Sequence, residues 1–459
     1  MVTLMPSQIT GVGIPIRPAN RQLDQHRDQA TEFNKTHKHS RSSYSESSSL
    51  VSRNNSLTFR PAKRSMPSPN KTIAVINAAG RQAASFIRVA TAVGYHVRAQ
   101  LRNLEGVVAT EVSSNPNVTV LVGELYLRHK PTPDNRDVTK NGPITGLGVN
   151  HELIRDLFRG TQLAFINTTF YGDEFQIGKA LADAAKSAGI QHYIYSSMPD
   201  HSAYNPSWPS LPLWSSKHQV EEYIRTLDLP ATFVYTGIYN NNFTSLLYPL
   251  FCMELQEDGS FRWQAPFHEN VKLPWLDAEH DIGPAILQLI KDGVAKWRGK
   301  RVSLAWEALT PIEACKAFSR GVGRPVKYVR GPIEVKVKIP TGYREQLVAL
   351  EKLWDPTNKD PKKQPPYFGD VDLEDTYPEQ SMALWEGPRG LEEYAREVFA
   401  LEEQANGMTW MLEDEEEVVG ASEHEHEHEQ EQDDEEEEDD EDEGLLMKGR
   451  KRDEEEWLA

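Results

Sequence analysis

KTIAVINAAGRQAASFIRVATAVG, residues 71–94, reads as strand, tight turn and helix in immediate succession. Residues 72–76 are a short apolar run rich in β-branched side chains, the pattern of a strand buried on both faces. Asn77, Ala78, Ala79 and Gly80 make the turn. From about residue 81 to 92 a helix follows, with Ala84, Ile87, Val89 and Ala90 on its inner side. A helix that starts there turns free backbone N–H groups and a positive dipole end toward whatever lies beyond the strand, which suits a pyrophosphate. The usual three-glycine fingerprint of such turns is thin. Its first position is Asn77, its last is Ala83, and Gly80 alone is kept.

The rest of the chain repeats the unit. Residues 95–101, 118–122, 163–167, 192–196 and 231–235 read as further strands, and 107–113, 152–158, 174–188 and 215–227 as the helices between them. Strand and helix alternating in this way predict an α/β fold, a Rossmann-like doubly wound parallel sheet with helices on both faces. Ligands of such sheets sit beyond the carboxyl ends of the strands. Five strand ends carry small or polar residues in step: Asn77 to Gln82, Arg102-Asn103, Gly123-Glu124, Asn167-Thr168 and Ser196-Ser197. The second strand ends without the acid that reads a ribose 2′-hydroxyl. Arg102 stands there, suited to a 2′-phosphate or an adenine ring, or simply exposed on a turn.

After residue 235 the alternation breaks. A run of three asparagines, Asn240 to Asn242, lies in a loop placed to close over a ligand. Residues 261–267, 301–305 and 326–329 read as strands, and 282–291 and 311–320 as helices, with Asp281 as an N-cap. They outline a smaller α+β domain, 246–412, interleaved with the first, 71–245. Residues 343–353 and 391–405 read as closing helices on either side of a Pro- and Asp-rich linker, 355–380. A cleft between the two domains is the expected site.

The net charge of −19 is local. Residues 413–459 carry 25 acids against 4 bases, and residues 1–70 carry 10 bases against 4 acids. The portion between is nearly neutral, so its charge names no partner. The Ser-rich basic arm 1–70 and the acidic tail 413–459 lack apolar periodicity and read as disordered. The polar, Pro- and Gly-punctuated insertion 127–150 reads as a surface loop. His424, His426 and His428 alternate with Glu without the spacing of a metal site. Lys448 to Arg452 has the composition of a nuclear import patch. Two cysteines, Cys252 and Cys315, rule out a disulfide scaffold. No apolar run reaches the roughly 18 residues of a membrane span.

Short-chain dehydrogenases place a Tyr four residues before a Lys, which lowers the phenol pKa for general base catalysis. Lys217 occupies the lysine position, but four residues before it is Leu213. Tyr204 and Tyr223 have no i, i+4 relation to it. Lys217 is left to bond a ribose, to act as a base itself through burial, or to sit on a helix surface.

KTIAVINAAGRQAASFIRVA, LAFINTT, HYIYSSMPDHS, TFVYTGIYNNNFTSL, LPWLDAEHD and IPTGYREQL resemble the NmrA-like nitrogen metabolite repression regulators, atypical short-chain dehydrogenases/reductases, over about residues 71–412. The resemblance implies a regulator, not an enzyme, that binds NAD and NADP without turnover. It implies repression through a GATA-type transcription activator, bound at its zinc finger region and C-terminal tail, in nucleus and cytoplasm, with no direct contact to nucleic acid or membrane. Carried over by motif, the cofactor site comprises Asn77, Ala78, Ala79, Gly80, Arg81, Gln82, Arg102, Asn103, Leu104, Glu105, Gly106, Gly123, Glu124, Asn167, Thr168, Lys217, Tyr239, Asn240, Asn241 and Asn242. Ala79 stands where a Thr is often found and removes one hydroxyl contact. The other reading is an NAD(P)H-dependent reductase of the isoflavone-reductase-like type working through Lys217. The acidic tail, by imitating phosphate charge, would screen a basic zinc finger from DNA.

Overall fold

The computed structural model describes residues 69–127, 148–170, 172–339 and 341–411. The basic arm, most of the 127–150 insertion, and the acidic tail with its His-Glu run and basic patch lie outside the described residues.

Seven parallel strands form the main sheet. They are β1 (Thr72–Val75), β2 (His96–Leu101), β3 (Val118–Val122), β4 (Leu163–Ile166), β5 (His192–Ser197), β6 (Ala231–Thr236) and β7 (Arg301–Leu304). Their order is β3-β2-β1-β4-β5-β6-β7, so the Rossmann-like sheet predicted from the alternation is present. The direction of winding reverses between β1 and β4, and a crevice opens beyond their carboxyl ends. Among the helices are α1 (Arg81–Ala92), α2 (Val107–Ser114), α3 (His151–Leu157), α4 (Glu174–Ser187), α5 (Pro212–Thr226) and α6 (Ile282–Asp292). Helix α5 starts three residues before the expected point because Pro212 fits the first helical turn, where no N–H is needed.

Strand β7 is a departure from expectation. Its residues read as part of the smaller region, yet it pairs in parallel with β6, from Arg301 opposite Phe233 to Leu304 opposite Thr236. A short apolar run shows that a strand is buried, not which neighbour it finds. The smaller region has two three-stranded sheets instead. One joins Met253–Leu255, Phe261–Ala265 and Val326–Arg330; the other joins Ile238–Tyr239, Leu273–Leu276 and Glu307–Leu309. Leu273–Leu276 lies just ahead of α6 and is itself a strand. Trp275, fully buried and stacked on Phe243 at 5.6 Å, holds it as a strand.

Two further expectations fail on side-chain packing. Asp281 precedes α6 but makes no cap bond. Its carboxylate accepts instead from Asp277 N at 3.0 Å, Arg389 N at 3.0 Å and His280 Nδ1 at 2.7 Å. Residues 355–380 are no free linker: Tyr367, Phe368 and Tyr377 are buried, and Tyr367 stacks on Trp354 at 5.9 Å. Aromatic anchors at irregular spacing leave no periodic trace in the sequence.

Helix α1 lies close to α6. Gly283 N donates to Ser85 Oγ at 3.0 Å, and a Cβ on Gly283 would stand 2.4 Å from the Ser85 carbonyl oxygen. Backbone cannot yield there as a flexible side chain can. Gly283→Ala is therefore expected to lower stability by about 1–3 kcal/mol by overpacking, read as a lower denaturation midpoint at unchanged m-value.

Candidate functional site

The turn after β1 takes its left-handed corner from an asparagine. Asn77 has φ 49°, a conformation Asn reaches more readily than other non-glycine residues. Its backbone N donates to Gln100 Oε1 at 2.9 Å, and its side-chain Nδ2 to the Asn167 carbonyl at 2.9 Å. Asn77 thus ties the ends of β1, β2 and β4 together while doing the work of the first fingerprint glycine. Gly80 fills the place where room is short, since a Cβ would sit 3.1 Å from the Asn77 carbonyl oxygen.

Gln100, at the end of β2, is fully buried and donates through Nε2 to the Gly123 carbonyl at 2.7 Å. It was not among the sequence candidates. Its signal was available: an uncharged polar residue at a core position of an apolar strand needs partners. Around it lies a small cleft open to solvent, lined by Asn77, Gln100, Arg102, Leu125, Tyr126, Thr168, Thr169 and Ile177. Three strand ends thus meet where the sheet reverses. Gly123, φ 152°, turns the chain out of β3. Glu124 accepts from Tyr126 at 3.2 Å through its carboxylate and from Asn150 at 3.0 Å through its carbonyl. Asn103, Leu104, Glu105 and Gly106 form the exposed turn into α2, where Asn103 Oδ1 accepts from Glu105 N at 3.1 Å.

On the other side of the α1 N-terminus stands the asparagine loop, a short 3-10 turn at Asn240–Asn242 that is wholly buried. Gln82 donates to the hydroxyl of Tyr239, which lies 3.2 Å from Thr236 Oγ1. Arg81 Nη1 pairs with Glu279 and, at 3.2 Å, with Glu402. Burial opposes charge on Arg81, but the two carboxylates hold its pKa above the ordinary value. Glu402 also takes Tyr394 OH at 2.9 Å and Asn241 Nδ2 at 3.4 Å. Asn241 Oδ1 accepts from Ala278 N at 2.9 Å. Among the described residues, Arg81 Nη2 and both amide atoms of Asn242 are buried without a hydrogen-bond partner. The fold therefore brings the loop at 239–242 to the start of α1 and leaves unsatisfied donors there.

Lys217 does not lie on the helix surface, one of the roles open to it in the sequence. It projects from α5 into the interior, where Nζ donates to the Thr168 carbonyl, to Thr168 Oγ1 at 3.3 Å and to Glu174 Oε1 at 2.8 Å. Both charged side chains of the pair are nearly inaccessible, 3% and 4% exposed. Glu174 also accepts from Thr168 Oγ1 at 2.7 Å and from Ser216. This carboxylate too went unnamed in the sequence, although it falls on the stripe of α4 that carries Ile177, Gly178 and Leu181 into the core. A charge on such a stripe calls for a buried partner.

Among the described residues, no phenol takes the place of the missing base. Leu213 is buried, with its N–H on Gln346 Oε1 at 2.9 Å. Tyr204 faces Arg301 at 3.3 Å, and Tyr223 donates to Asp183 at 2.6 Å. Tyr195 reaches Thr168 Oγ1 at 2.9 Å but not Lys217, and burial drives its pKa well above the usual phenol value, the wrong direction for a base. Among the described residues, the hydroxyl bonded to Lys217 is the aliphatic one of Thr168.

Residues 69–395 match the model of the NmrA-like family. The nitrogen metabolite repression protein nmr of Neurospora crassa is 72% identical over 415 residues, 89% of this chain and 85% of that one. The nitrogen metabolite repression protein nmrA of Emericella nidulans is 51% identical over 375 residues, 76% of this chain and all of the relative. Crystal structures of NmrA, a negative transcriptional regulator, in complex with NADP and with NAD superpose with TM-scores of 0.65 and 0.66. Both are 54% identical and cover 74% of this chain and 99% of theirs. More distant relatives are named as oxidoreductases. Sequence, sheet order and the crevice at the β1/β4 reversal agree: this chain belongs to the NmrA-like family.

Proposed function

We propose that this protein is a regulator of nitrogen metabolite repression that holds NAD or NADP in the β1/β4 crevice without turning it over. In this reading the pyrophosphate rests on the N-terminus of α1, with the spare Nη2 of Arg81 beside it. Asn77, Gly123 and Thr168 border the crevice, Arg102 and the 103–106 turn take the adenosine end, and the loop at 239–242 closes the nicotinamide end. Lys217 acts from behind, fixing Thr168 at the mouth of β4. The nicotinamide group, when bound, supplies a hydride carrier, and among the described residues no phenol is paired with Lys217 to exchange a proton with it. One observation carries the non-catalytic reading: the lysine of the dehydrogenase arrangement is spent on a buried carboxylate and a backbone carbonyl.

The regulatory output is proposed to be capture of a GATA-type activator through its zinc finger region and C-terminal tail, in nucleus and cytoplasm. The names of the nitrogen-repression relatives support a regulatory partner. Calorimetric titration with NAD and NADP, with and without a GATA zinc finger fragment, tests both halves. Binding of dinucleotide and fragment is expected; absence of either removes that half. The reductase reading, with Lys217 as base, would require that amine to leave Glu174.

Arg102 supplies a prediction for the adenosine end. A guanidinium at the end of β2, where the sequence carries no acid at the strand end, favours a 2′-phosphate. Arg102→Ala is expected to weaken NADP by about tenfold and NAD by less than about threefold, consistent with loss of one charge-assisted bond. Equal losses would place Arg102 on the adenine or on the protein instead.

A further inference from the structure

The C-terminal helical run, Leu391–Tyr394 through Ala395–Phe399 to Ala400–Ala405, ends in two adjacent buried acids. Glu403 anchors the run locally. It accepts from Thr244 Oγ1 at 2.7 Å, Ser245 N at 3.0 Å and Trp410 Nε1 at 3.3 Å. Glu402 does something else. It reaches across to the nucleotide turn and touches two residues of the dinucleotide site, Arg81 and Asn241.

Arg81 is the first residue of α1, and its Nη1 is already divided between Glu402 and Glu279 while Nη2 has no partner among the described residues. A phosphate entering at that helix start brings negative charge to the same guanidinium. We propose that Glu402 is the charge sensor of the dinucleotide site: it competes with the bound phosphates for Arg81, takes up a proton when they arrive, and so couples cofactor occupancy to the hold on residues 395–411. This rests on the dinucleotide reading above and adds its regulation.

The electrostatic surroundings agree with the geometry. Burial pushes the Glu402 carboxyl up, Arg81 draws it back down and the nearby Glu279 raises it, leaving it at about 7. Tyr394 donates to it from its own helical run, and Asp277 adds repulsion from the loop before α6, with Arg389 at 3.4 Å from Asp277. The sign follows. Well below pH 7 Glu402 is already neutral, so phosphates bind without displacing a charge. As pH rises through 7 the carboxylate forms, and binding must either reprotonate it or place it beside another anion. Dinucleotide affinity therefore falls with rising pH, and proton uptake on binding is largest just above neutrality. Coupling is reciprocal: what loosens the Glu402–Arg81 pair must favour the ligand.

The test uses the full chain and NAD, whose phosphates do not titrate near neutrality. Calorimetric titrations in buffers of different ionisation enthalpy, from about pH 6 to about pH 8.5 around the carboxyl's shifted range, measure the protons taken up. Hydrogen exchange of residues 395–411 is followed with and without NAD. The wild type is expected to take up a fraction of a proton near pH 7.5 and to exchange faster in that segment when NAD is bound. Glu402→Gln keeps the side-chain shape without the charge. It is expected to show no uptake, to tighten NAD by about fivefold or more at the alkaline end, and to lose the exchange response. NAD binding to the wild type with no proton uptake, or with no change in exchange at 395–411, overturns the proposal even if the variant does not fold. Absence of NAD binding altogether overturns the dinucleotide reading and this inference with it.

Discussion

Lys217→Met lowers the free energy of unfolding by about 3–5 kcal/mol, whether or not a dinucleotide is present. Deleting one member of a buried ion pair leaves the other charge in a medium that cannot solvate it. Glu174, 4% exposed, would lose its cation while keeping Thr168 and Ser216 as donors. Thr168 in turn would lose the ammonium on its carbonyl, so the end of β4 loosens and NAD affinity falls as a second consequence. Chemical denaturation separates this from the reductase reading. A catalytic lysine at a solvated site costs turnover when removed and little stability, whereas a structural one costs stability first. The double variant Lys217→Met/Glu174→Leu, which removes both charges, is expected to recover most of the loss, because an apolar pair of similar volume is often neutral or better. A single variant as stable as the wild type would show that the pair is not holding the sheet end.

Arg81→Leu is expected to match it, at about 3–5 kcal/mol near pH 8, and to abolish measurable NAD binding. Two carboxylates face this guanidinium, Glu402 buried and Glu279 partly exposed at 22%. The cost should shrink on acidification. Glu402 already stands at about 7 with Arg81 present; without it the carboxyl rises further, so below neutrality it is neutral and the repulsion fades. Denaturation midpoints of wild type and variant at about pH 6 and about pH 8 check this, with the gap wider at the alkaline pH. A gap independent of pH would mean that the side chain acts through packing alone.

The parts of this fold legible in the sequence were those that depend on local pattern. The β1–turn–α1 unit, the alternation after it and the polar strand ends all follow from periodicity and turn chemistry, and the structure places Asn77, Arg102 and Thr168 around one crevice. What depends on long-range pairing was not legible. β7 joins β6 across some 65 residues, and nothing in RVSL indicates that neighbour. Glu402 meets Arg81 over 321 residues. Lys217 had three readings until Glu174, on another helix, settled which way its ammonium points. For Gln100 and Glu174 the clue was an amide or acid at a core position of an apolar element. Such residues announce a partner without saying where it is.

The most direct test of the central claim is the fate of bound NADPH. Full-length protein saturated with NADPH is mixed with quinone, azo and aldehyde acceptors, and the absorbance of the reduced nicotinamide is followed. With Lys217 held by Glu174 and Thr168, and no phenol bonded to it among the described residues, the cofactor is expected to disappear no faster than it does without protein. Sustained oxidation of many equivalents per chain, lost in a folded Lys217 variant, would contradict the account and make the protein a reductase.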